Sequence, residues 1–436
     1  MASYFRMWGR SDGVRLLDSL PEAGYNVSNG RYVSAANIIQ RKVTAMKRIF
    51  SLLLSACLAF SAAAASADAV SDALSRASTM TSEELYAKAR EEAEAGKTLN
   101  FYSTTSFAEK AADNFMADYP GLTVHYFEID DGETYTILTN TVGSGVNDYD
   151  MGLVQNGPDL KLYLLDSGLS YNYFPASFAD AVPEDYRDPT VVTFINSLMI
   201  YHNGGGSIGL TNVWQLTEEA WKGKVFFKNP VNETVNINFL IMLTSPEWTE
   251  KLEKAYEDYY GTPWAKNEFK SASYQWIDGF LKNVNYTYTS ASKIATGIAS
   301  GTPGNLGLFV FSKLRKVDEA DRGNLTVLAF ENDVDGFAGF MYSVYATVFK
   351  DTDCPYTCAL FINYLLSAEG FAGEKSWNSS QGYYSPNTLI LKPEGLEDQP
   401  YVYWDGKLVF EDLDYIDGLG ANYNEIYRFI NVRVSK

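Results

Sequence analysis

The chain has 436 residues, of which 46% are hydrophobic and 15% aromatic, and its formal net charge at pH 7 is −19. This acidic balance argues against nucleic acid as a partner, because binding to a phosphate backbone depends on clustered Lys and Arg. The length and apolar content are sufficient for two lobes, each with a hydrophobic core of its own.

A secretory signal is predicted near the start of the chain. Residues 46–48 read Met-Lys-Arg and are followed by the apolar run IFSLLLSACLAFSAAAASADA, in which the small residues 65–67 fit a cleavage site. We therefore expect a signal peptide at 46–67, a mature start near Asp68, and a periplasmic or otherwise extracytoplasmic protein. Residues 1–45 show no sustained periodicity and are interpreted as an untranslated or disordered extension.

The three cysteines fall into two groups. Cys57 lies in the signal segment, where LSAC fits a lipoprotein box, so lipid anchoring stays open as an alternative. Cys354 and Cys358 stand at the start of an apolar helix, with Pro355 at a natural first helical position. In an oxidising compartment these two are expected to form a disulfide, which would add only about 2 kcal/mol because the closed loop is short. No His or further Cys lies nearby in the sequence, which disfavours a metal site.

The first α/β unit is predicted over residues 97–127, KTLNFYSTTSFAEKAADNFMADYPGLTVHYF. Apolar residues begin a strand at Leu99, recur at helical spacing from Phe107, and begin a second strand at Val124. The loop between the first strand and the helix lies where open α/β sheets bind ligands, and free N–H groups at the helix start suit an anion or a polar solute. An N-cap alone would explain one of its four hydroxyls. The ligand-binding residues predicted here are Ser103, Thr104, Thr105 and Ser106.

The rest of the chain repeats this α/β rhythm. The two longest strand-like runs, 191–202 and 340–349, are expected to cross between the lobes, and residues 376–436 are loop-rich. Other strands are predicted at 149–154, 225–227, 306–311 and 325–330, and helices at 133–142, 239–243, 249–260, 274–281, 291–300 and 358–366.

A second polar loop follows the strand at 225–227. Its sequence NPVNETVN leads from the strand into a helix, which mirrors the first loop. Two helix N-termini would then face one ligand and close on it. Outside the first loop, the predicted ligand-binding residues are Gln155, Asn156, Asn229, Asn232, Thr234, Asn236, Phe311 and Tyr342.

Several segments resemble the periplasmic substrate-binding proteins of ABC transporters. They are YSTTS at 102–106, WKGKVFFKNP at 221–230, LFINYLLSAEG at 360–370 and GYYSPN at 382–387. The resemblance spans residues 97–387 and is nearest to the ferric-iron, thiamine and polyamine group.

This resemblance implies an α/β, two-lobed type II periplasmic-binding-protein fold with crossing strands at a hinge. It also implies a protein that captures a small ligand in the interlobe cleft and delivers it to a membrane permease of an ABC transporter. We further expect a monomer without a cofactor. On this basis, lobe 1 is expected to comprise 97–200 plus 338–375, and lobe 2 to comprise 201–337 plus 376–436.

The ligand is expected to be a small organic solute, namely a polyamine, a thiamine-like compound, a sugar or a phosphorylated compound. Ferric iron is an alternative. Ferric-binding members share a pair of adjacent tyrosines shortly after the strand that follows the helix predicted here at 291–300. In this sequence the corresponding stretch is GLFVFS at 307–312, which contains no tyrosine. The adjacent pair Tyr383 and Tyr384 lies in a later segment.

An exported hydrolase is the second alternative. The segment GGGSIG at 204–209 fits the G-x-S-x-G pattern of a nucleophilic serine. However, both histidines, His125 and His202, precede Ser207, whereas the hydrolase order places the histidine after the serine. No other catalytic constellation is visible, so we expect the protein not to be an enzyme.

Overall fold

The computed structural model describes residues 69–129, 131–144 and 148–435. The predicted extension at 1–45 and the signal segment at 46–67, with its cysteine, lie outside these residues. In the described part of the chain, none of the helices has both the length and the apolar content that a membrane span requires.

The described elements follow the alternation of strands and helices predicted from the sequence. The strands are β1 (Leu99–Ser103), β2 (Val124–Glu128), β3 (Met151–Val154), β4 (Ser170–Tyr171), β5 (Val191–His202), β6 (Val225–Phe227), β7 (Val284–Asn285), β8 (Leu306–Val310), β9 (Leu325–Val327), β10 (Gly339–Phe349), β11 (Tyr383–Tyr384) and β12 (Leu408–Phe410). The helices are α1 (69–77), α2 (Ser82–Glu94), α3 (Phe107–Asp118), α4 (Thr134–Ser144), α5 (Gly157–Leu160), α6 (Thr234–Met242), α7 (Pro246–Tyr260), α8 (Ala272–Asn283), α9 (Ala291–Ala299), α10 (Glu319–Arg322), α11 (Leu328–Glu331), α12 (Pro355–Leu366), α13 (Ala368–Phe371), α14 (Leu413–Gly418) and α15 (Ala421–Val434).

The sheet contains two parallel groups joined by two long strands. Its main path runs β2-β1-β3-β10-β5-β8-β6-β7. Strand β1 is parallel to β2 and β3, and β6 is parallel to β7 and β8. Strands β5 and β10 pair antiparallel to each other between these groups. Since parallel strands end at the same edge, each group presents its three carboxyl ends together.

An aromatic cluster fixes α3 against β1. The ring centroids of Phe101 on β1 and Phe115 on α3 each lie 5.0 Å from that of Phe361 on α12. All three side chains are fully buried, as are nearly all residues of α12, which is therefore apolar on every face. This packing holds the loop between β1 and α3 in place.

A second aromatic cluster does the same for the loop after β6. Phe227 on β6 packs against Phe239 on α6 at 6.2 Å and against Phe280 on α8 at 5.7 Å between ring centroids. Edge-to-face rings at these distances are favourable. Because α6 begins directly after the loop, the cluster fixes both the loop and the start of the helix.

The long crossing strands agree with the sequence pattern. Strand β5 spans Val191–His202, as predicted, and every residue of it is buried. Strand β10 spans Gly339–Phe349 and is buried throughout as well. Near-continuous apolar runs of this kind are typical of strands covered on both faces.

Two sequence predictions need correction in detail. The strand expected at 325–330 ends at Val327, and Leu328 begins the short helix α11 instead. The loop-rich segment 376–436 ends in the fourteen-residue helix α15, which packs against α6 and α8. Helix α15 buries only Ile426 and Ile430, so its apolar stripe was too narrow to be recognised from the sequence.

The predicted disulfide is wrong: Cys354 and Cys358 are free, buried thiols. Cys354 is the N-cap of α12 and Cys358 lies on its first turn, and the hydroxyl of Thr352 is 3.7 Å from each sulfur. Contact with Cys358 and burial raise the pKa of the Cys354 thiol, and burial raises that of Cys358. The two side chains therefore pack as small apolar groups at the base of the helix.

Candidate functional site

A cleft of about 570 Å³ lies where the carboxyl ends of the two parallel groups meet. Residues that follow each of the six parallel strands line it. They are Thr104 after β1, Ile129 after β2, Gln155 after β3, Lys228 after β6, Tyr286 after β7 and Lys313 after β8.

The first predicted loop divides between the cleft and the core. Thr104 and Thr105 line the cleft. Ser103 is fully buried, and its hydroxyl accepts the backbone N–H of Thr105 at 3.1 Å, so it shapes the turn. Ser106 is exposed at the N-cap of α3, makes no side-chain cap bond, and does not line the cleft.

The end of β3 divides in the same way. Gln155 lines the cleft, whereas the neighbouring Asn156 does not. Asn156 has a left-handed backbone with φ 62°, its carbonyl oxygen Oδ1 accepts a hydrogen bond from Asn238, and its Nδ2 donates to Asp159. Its amide is thus used in joining the end of β3 to α6.

In the second loop, Asn229 and Asn232 line the cleft and Thr234 and Asn236 do not. Asn236 is buried and donates from Nδ2 to the backbone carbonyl of Lys228 at 3.0 Å, which fastens the loop to α6. The sequence predicted that this loop joins a strand to a helix. It did not distinguish Asn229 and Asn232, which line the cleft, from Asn236, which is buried.

Of the two residues predicted near the crossing strands, Tyr342 lines the cleft and Phe311 does not. Phe311 is 1% exposed and packs against Phe330 at 5.9 Å between ring centroids. The predicted residues that do line the cleft remain predictions with respect to ligand contact.

Sequence reasoning missed several cleft residues, including Lys228, Lys313, Tyr286 and Ser290. Ser290 carried a usable signal, because it precedes a periodic apolar run and caps α9 by accepting the N–H of Lys293 at 3.2 Å. The lysines carried none, since a Lys after a strand is usually a solvated surface residue.

The charged residues of the cleft differ in burial and in pairing. Lys228 forms an ion pair with Glu233, and both side chains are mostly buried. Glu128 and Glu133 are exposed at the rim. Lys313 is partly buried, and burial together with neighbouring cations lowers its pKa to about 8.

Three helices begin at this cleft: α3 just after Thr105, α6 just after Glu233, and α9 at Ser290. Each has nine residues or more, and the N-cap side chains of α3 and α6 make no cap bond. Backbone N–H groups and the helix dipole at such ends favour oxygen atoms that carry negative charge.

A group with metal-ligand spacing lies elsewhere in the described part of the chain. Asp150, Asp353 and Cys354 lie together at the amino end of β3, the end away from the cleft. Asp353 pairs with Lys97 at 2.5 Å, and Asp150 accepts the N–H of Asn100 at 2.8 Å. These carboxylates are engaged within the fold, which disfavours a metal there.

A larger cavity of about 700 Å³ is lined mainly by residues 383–402. Its lysine, Lys392, pairs with the buried Asp398 at 3.3 Å and donates to the carbonyl of Ser380 at 2.7 Å. The two parallel groups do not converge on it, so we take the cleft as the candidate site.

No protein-family model matches the chain, and no curated protein matches its sequence. Solved structures do match its shape. A ferric binding protein from Campylobacter jejuni is 15% identical, with a TM-score of 0.56 over 77% of this chain and 99% of that one. Iron-bound HitA from Pseudomonas aeruginosa is 17% identical, with a TM-score of 0.56 and the same coverage.

The periplasmic binding protein AfuA from Actinobacillus pleuropneumoniae, with fructose-6-phosphate bound, is 13% identical, with a TM-score of 0.56 over 78% of this chain and 98% of that one. At these identities the likeness shows the fold. The predicted two-lobed type II α/β fold with crossing strands at a hinge is confirmed.

Proposed function

We propose that this chain is an extracytoplasmic solute-binding protein that captures a small ligand in the cleft and delivers it to the permease of an ABC transporter. The observation that carries the proposal is the convergence of six strand ends from two parallel groups on one polar cleft. Ligands of open α/β sheets bind at this edge, and strands such as β5 and β10 that join two lobes allow hinge closure.

The ligand we propose is a small organic solute, namely a polyamine, a thiamine-like compound, a sugar or a phosphorylated compound. A volume of about 570 Å³ suits a molecule of this size. Amides and hydroxyls from Thr104, Gln155, Asn229 and Ser290 supply hydrogen-bonding groups for it.

Ferric iron is the second candidate, because Tyr286, Tyr288, Tyr342 and Tyr383 all line the cleft and structural neighbours bind iron. Two observations disfavour it. Burial raises the pKa of Tyr286, so its phenolate is costly to form, and the ammonium of Lys313 repels a trivalent cation.

We further propose that the protein is not an enzyme. Against the hydrolase alternative, the hydroxyl of Ser207 accepts the N–H of Gly209, and Nδ1 of His202 accepts the N–H of Gly204. Within the described residues no hydrogen bond joins Ser207 to a histidine, as a nucleophile and its base require. The proposed function also includes three predictions made from the sequence. They are export by the signal at 46–67, a monomeric state and the lobe boundaries given above.

A thermal-shift screen of the purified full-length protein tests this function. The panel is ferric iron with bicarbonate, thiamine, spermidine, fructose, fructose 6-phosphate and citrate. A ligand at 100 times its Kd stabilises the folded state by about 2.7 kcal/mol, which gives a shift of a few degrees. One selective shift supports solute binding, and a protein that responds to none of the panel refutes it in this form.

A further inference from the structure

Lys313 differs from the other lysine of the cleft. Lys228 is neutralised by Glu233. Lys313 lies in the turn directly after β8, is partly buried, and has no ion pair or hydrogen bond with any described residue. A buried cation is normally paired, because the loss of hydration is otherwise not compensated.

The surroundings of Lys313 are themselves positively charged. The charged groups that act on it are the cations Arg315, Lys316 and Lys228 and the carboxylate of Glu128. Glu128 is exposed and forms no ion pair with it. Arg315 stacks its guanidinium 4.6 Å from the ring centre of Phe107, so it stays close by. Arg315 and Lys316 are exposed and do not line the cleft, so they act on Lys313 from outside it. Of the two lysines that line the cleft, Lys313 is therefore the one without a carboxylate partner among the described residues.

Neutral polar groups without partners lie in the same cleft. The hydroxyls of Thr104 and Tyr286 are buried and have no hydrogen-bond partner among the described residues. Gln155 is 7% exposed, and its side-chain amide makes no hydrogen bond with any described residue. Buried polar groups are almost always paired, so these groups indicate a polar ligand that forms hydrogen bonds with them.

We propose that the ligand carries a phosphate or carboxylate group that pairs with Lys313. The proposal rests on the proposed function, since it takes the cleft as the ligand site. The starts of α3, α6 and α9 border the same cleft and add backbone N–H donors there. The exposed carboxylates of Glu128 and Glu133 at the rim suit the hydroxylated, uncharged part of the ligand.

Isothermal titration calorimetry with matched probes tests the proposal. Fructose 6-phosphate and fructose differ only in the phosphate, citrate supplies carboxylates, and spermidine and thiamine supply positive charge. The variant Lys313→Met removes the ammonium and keeps most of the stem. The control Lys316→Met removes an exposed lysine three residues away, outside the cleft.

We expect an anionic probe to bind the wild-type protein and to lose 10-fold to 100-fold in affinity in Lys313→Met, because a hydrogen bond between charged groups is lost. The control should change less than about 3-fold, as expected for a screened surface charge. If fructose 6-phosphate binds more tightly than citrate, the anionic group of the ligand is a phosphate. If citrate binds more tightly, it is a carboxylate.

The other outcomes separate the two proposals. If spermidine, thiamine or fructose binds and Lys313→Met leaves that affinity unchanged, the anionic ligand is wrong and solute binding stands. If an anion binds equally well to the wild-type protein and to Lys313→Met, the role of Lys313 is wrong. If no probe binds, both proposals are refuted.

Discussion

Replacing Lys313 by Met should stabilise the ligand-free protein. The pKa of Lys313 falls from 10.5 to about 8 in the fold, chiefly because burial disfavours the charged form. Each pKa unit corresponds to 1.36 kcal/mol, so keeping this lysine charged at pH 7 costs about 3 kcal/mol of folding free energy. Methionine retains the apolar stem and removes that cost.

Urea unfolding of ligand-free protein at pH 7 measures the effect directly. Lys313→Met should raise the free energy of unfolding by up to about 3 kcal/mol, and Lys316→Met should change it by less than about 0.5 kcal/mol. Unfolding and refolding of every sample before the measurement removes copurified ligand.

The difference in the free energy of unfolding between Lys313→Met and wild type should become smaller as the pH rises. Because the folded-state pKa of Lys313 is lowered, the unfolded chain binds the extra proton between about pH 8 and 10.5, and wild-type stability rises in this window. The difference in the free energy of unfolding between Lys313→Met and wild type should therefore fall to about 1.4 kcal/mol at pH 9.5. A variant that is less stable than wild type at pH 7, or a gap that grows with pH, refutes the reasoning.

Three further predictions concern the cleft and the thiols. Replacing Thr104 and Thr105 together by Ala should weaken ligand binding by at least 10-fold in calorimetry while the ligand-free melting temperature changes little; an unchanged affinity rules out the first loop as part of the site. Affinity for an anionic probe should fall by about 10-fold per pH unit above pH 8, as Lys313 loses its proton, and a flat profile or one equally steep in Lys313→Met contradicts its role. Cys354 and Cys358 should resist iodoacetamide in the native protein and react as two thiols in 6 M guanidinium, and a mass that shows no alkylation after unfolding contradicts the free thiols.

The first α/β unit was predictable because all its signals are local. The strand, the hydroxyl-rich loop and the helix follow one another within 31 residues, and the structure places β1 at Leu99–Ser103 and α3 at Phe107–Asp118. Helical spacing, a loop of Ser and Thr, and a Pro-Gly stop each act over a few residues. Tertiary packing agrees with these local preferences in this unit.

The division of that loop between cleft and core was not predictable. Ser103 and Thr104 are adjacent and chemically alike, yet Ser103 is fully buried and Thr104 faces the cleft. Alternation along a strand separates neighbouring side chains, but which side becomes the cleft depends on β2 and β3 beside it. The same reasoning separates Gln155 from Asn156.

Lys313 was beyond sequence reasoning for a different physical reason. Its significance comes from burial among Lys228 and Arg315 and from the absence of an ion pair in the described structure, and these are properties of the assembled cleft. A span of more than 200 residues separates it from Thr104 on the opposite group. No local pattern distinguishes such a lysine from a surface one.

A crystal structure of the protein with its tightest-binding probe tests the central claim most directly. We predict the ligand between Thr104 and Asn229, with an anionic oxygen about 2.8 Å from Nζ of Lys313 and a second contact to the amide of Gln155. A ligand bound in the cavity beside Lys392, or one that leaves the six strand ends untouched, would contradict the account.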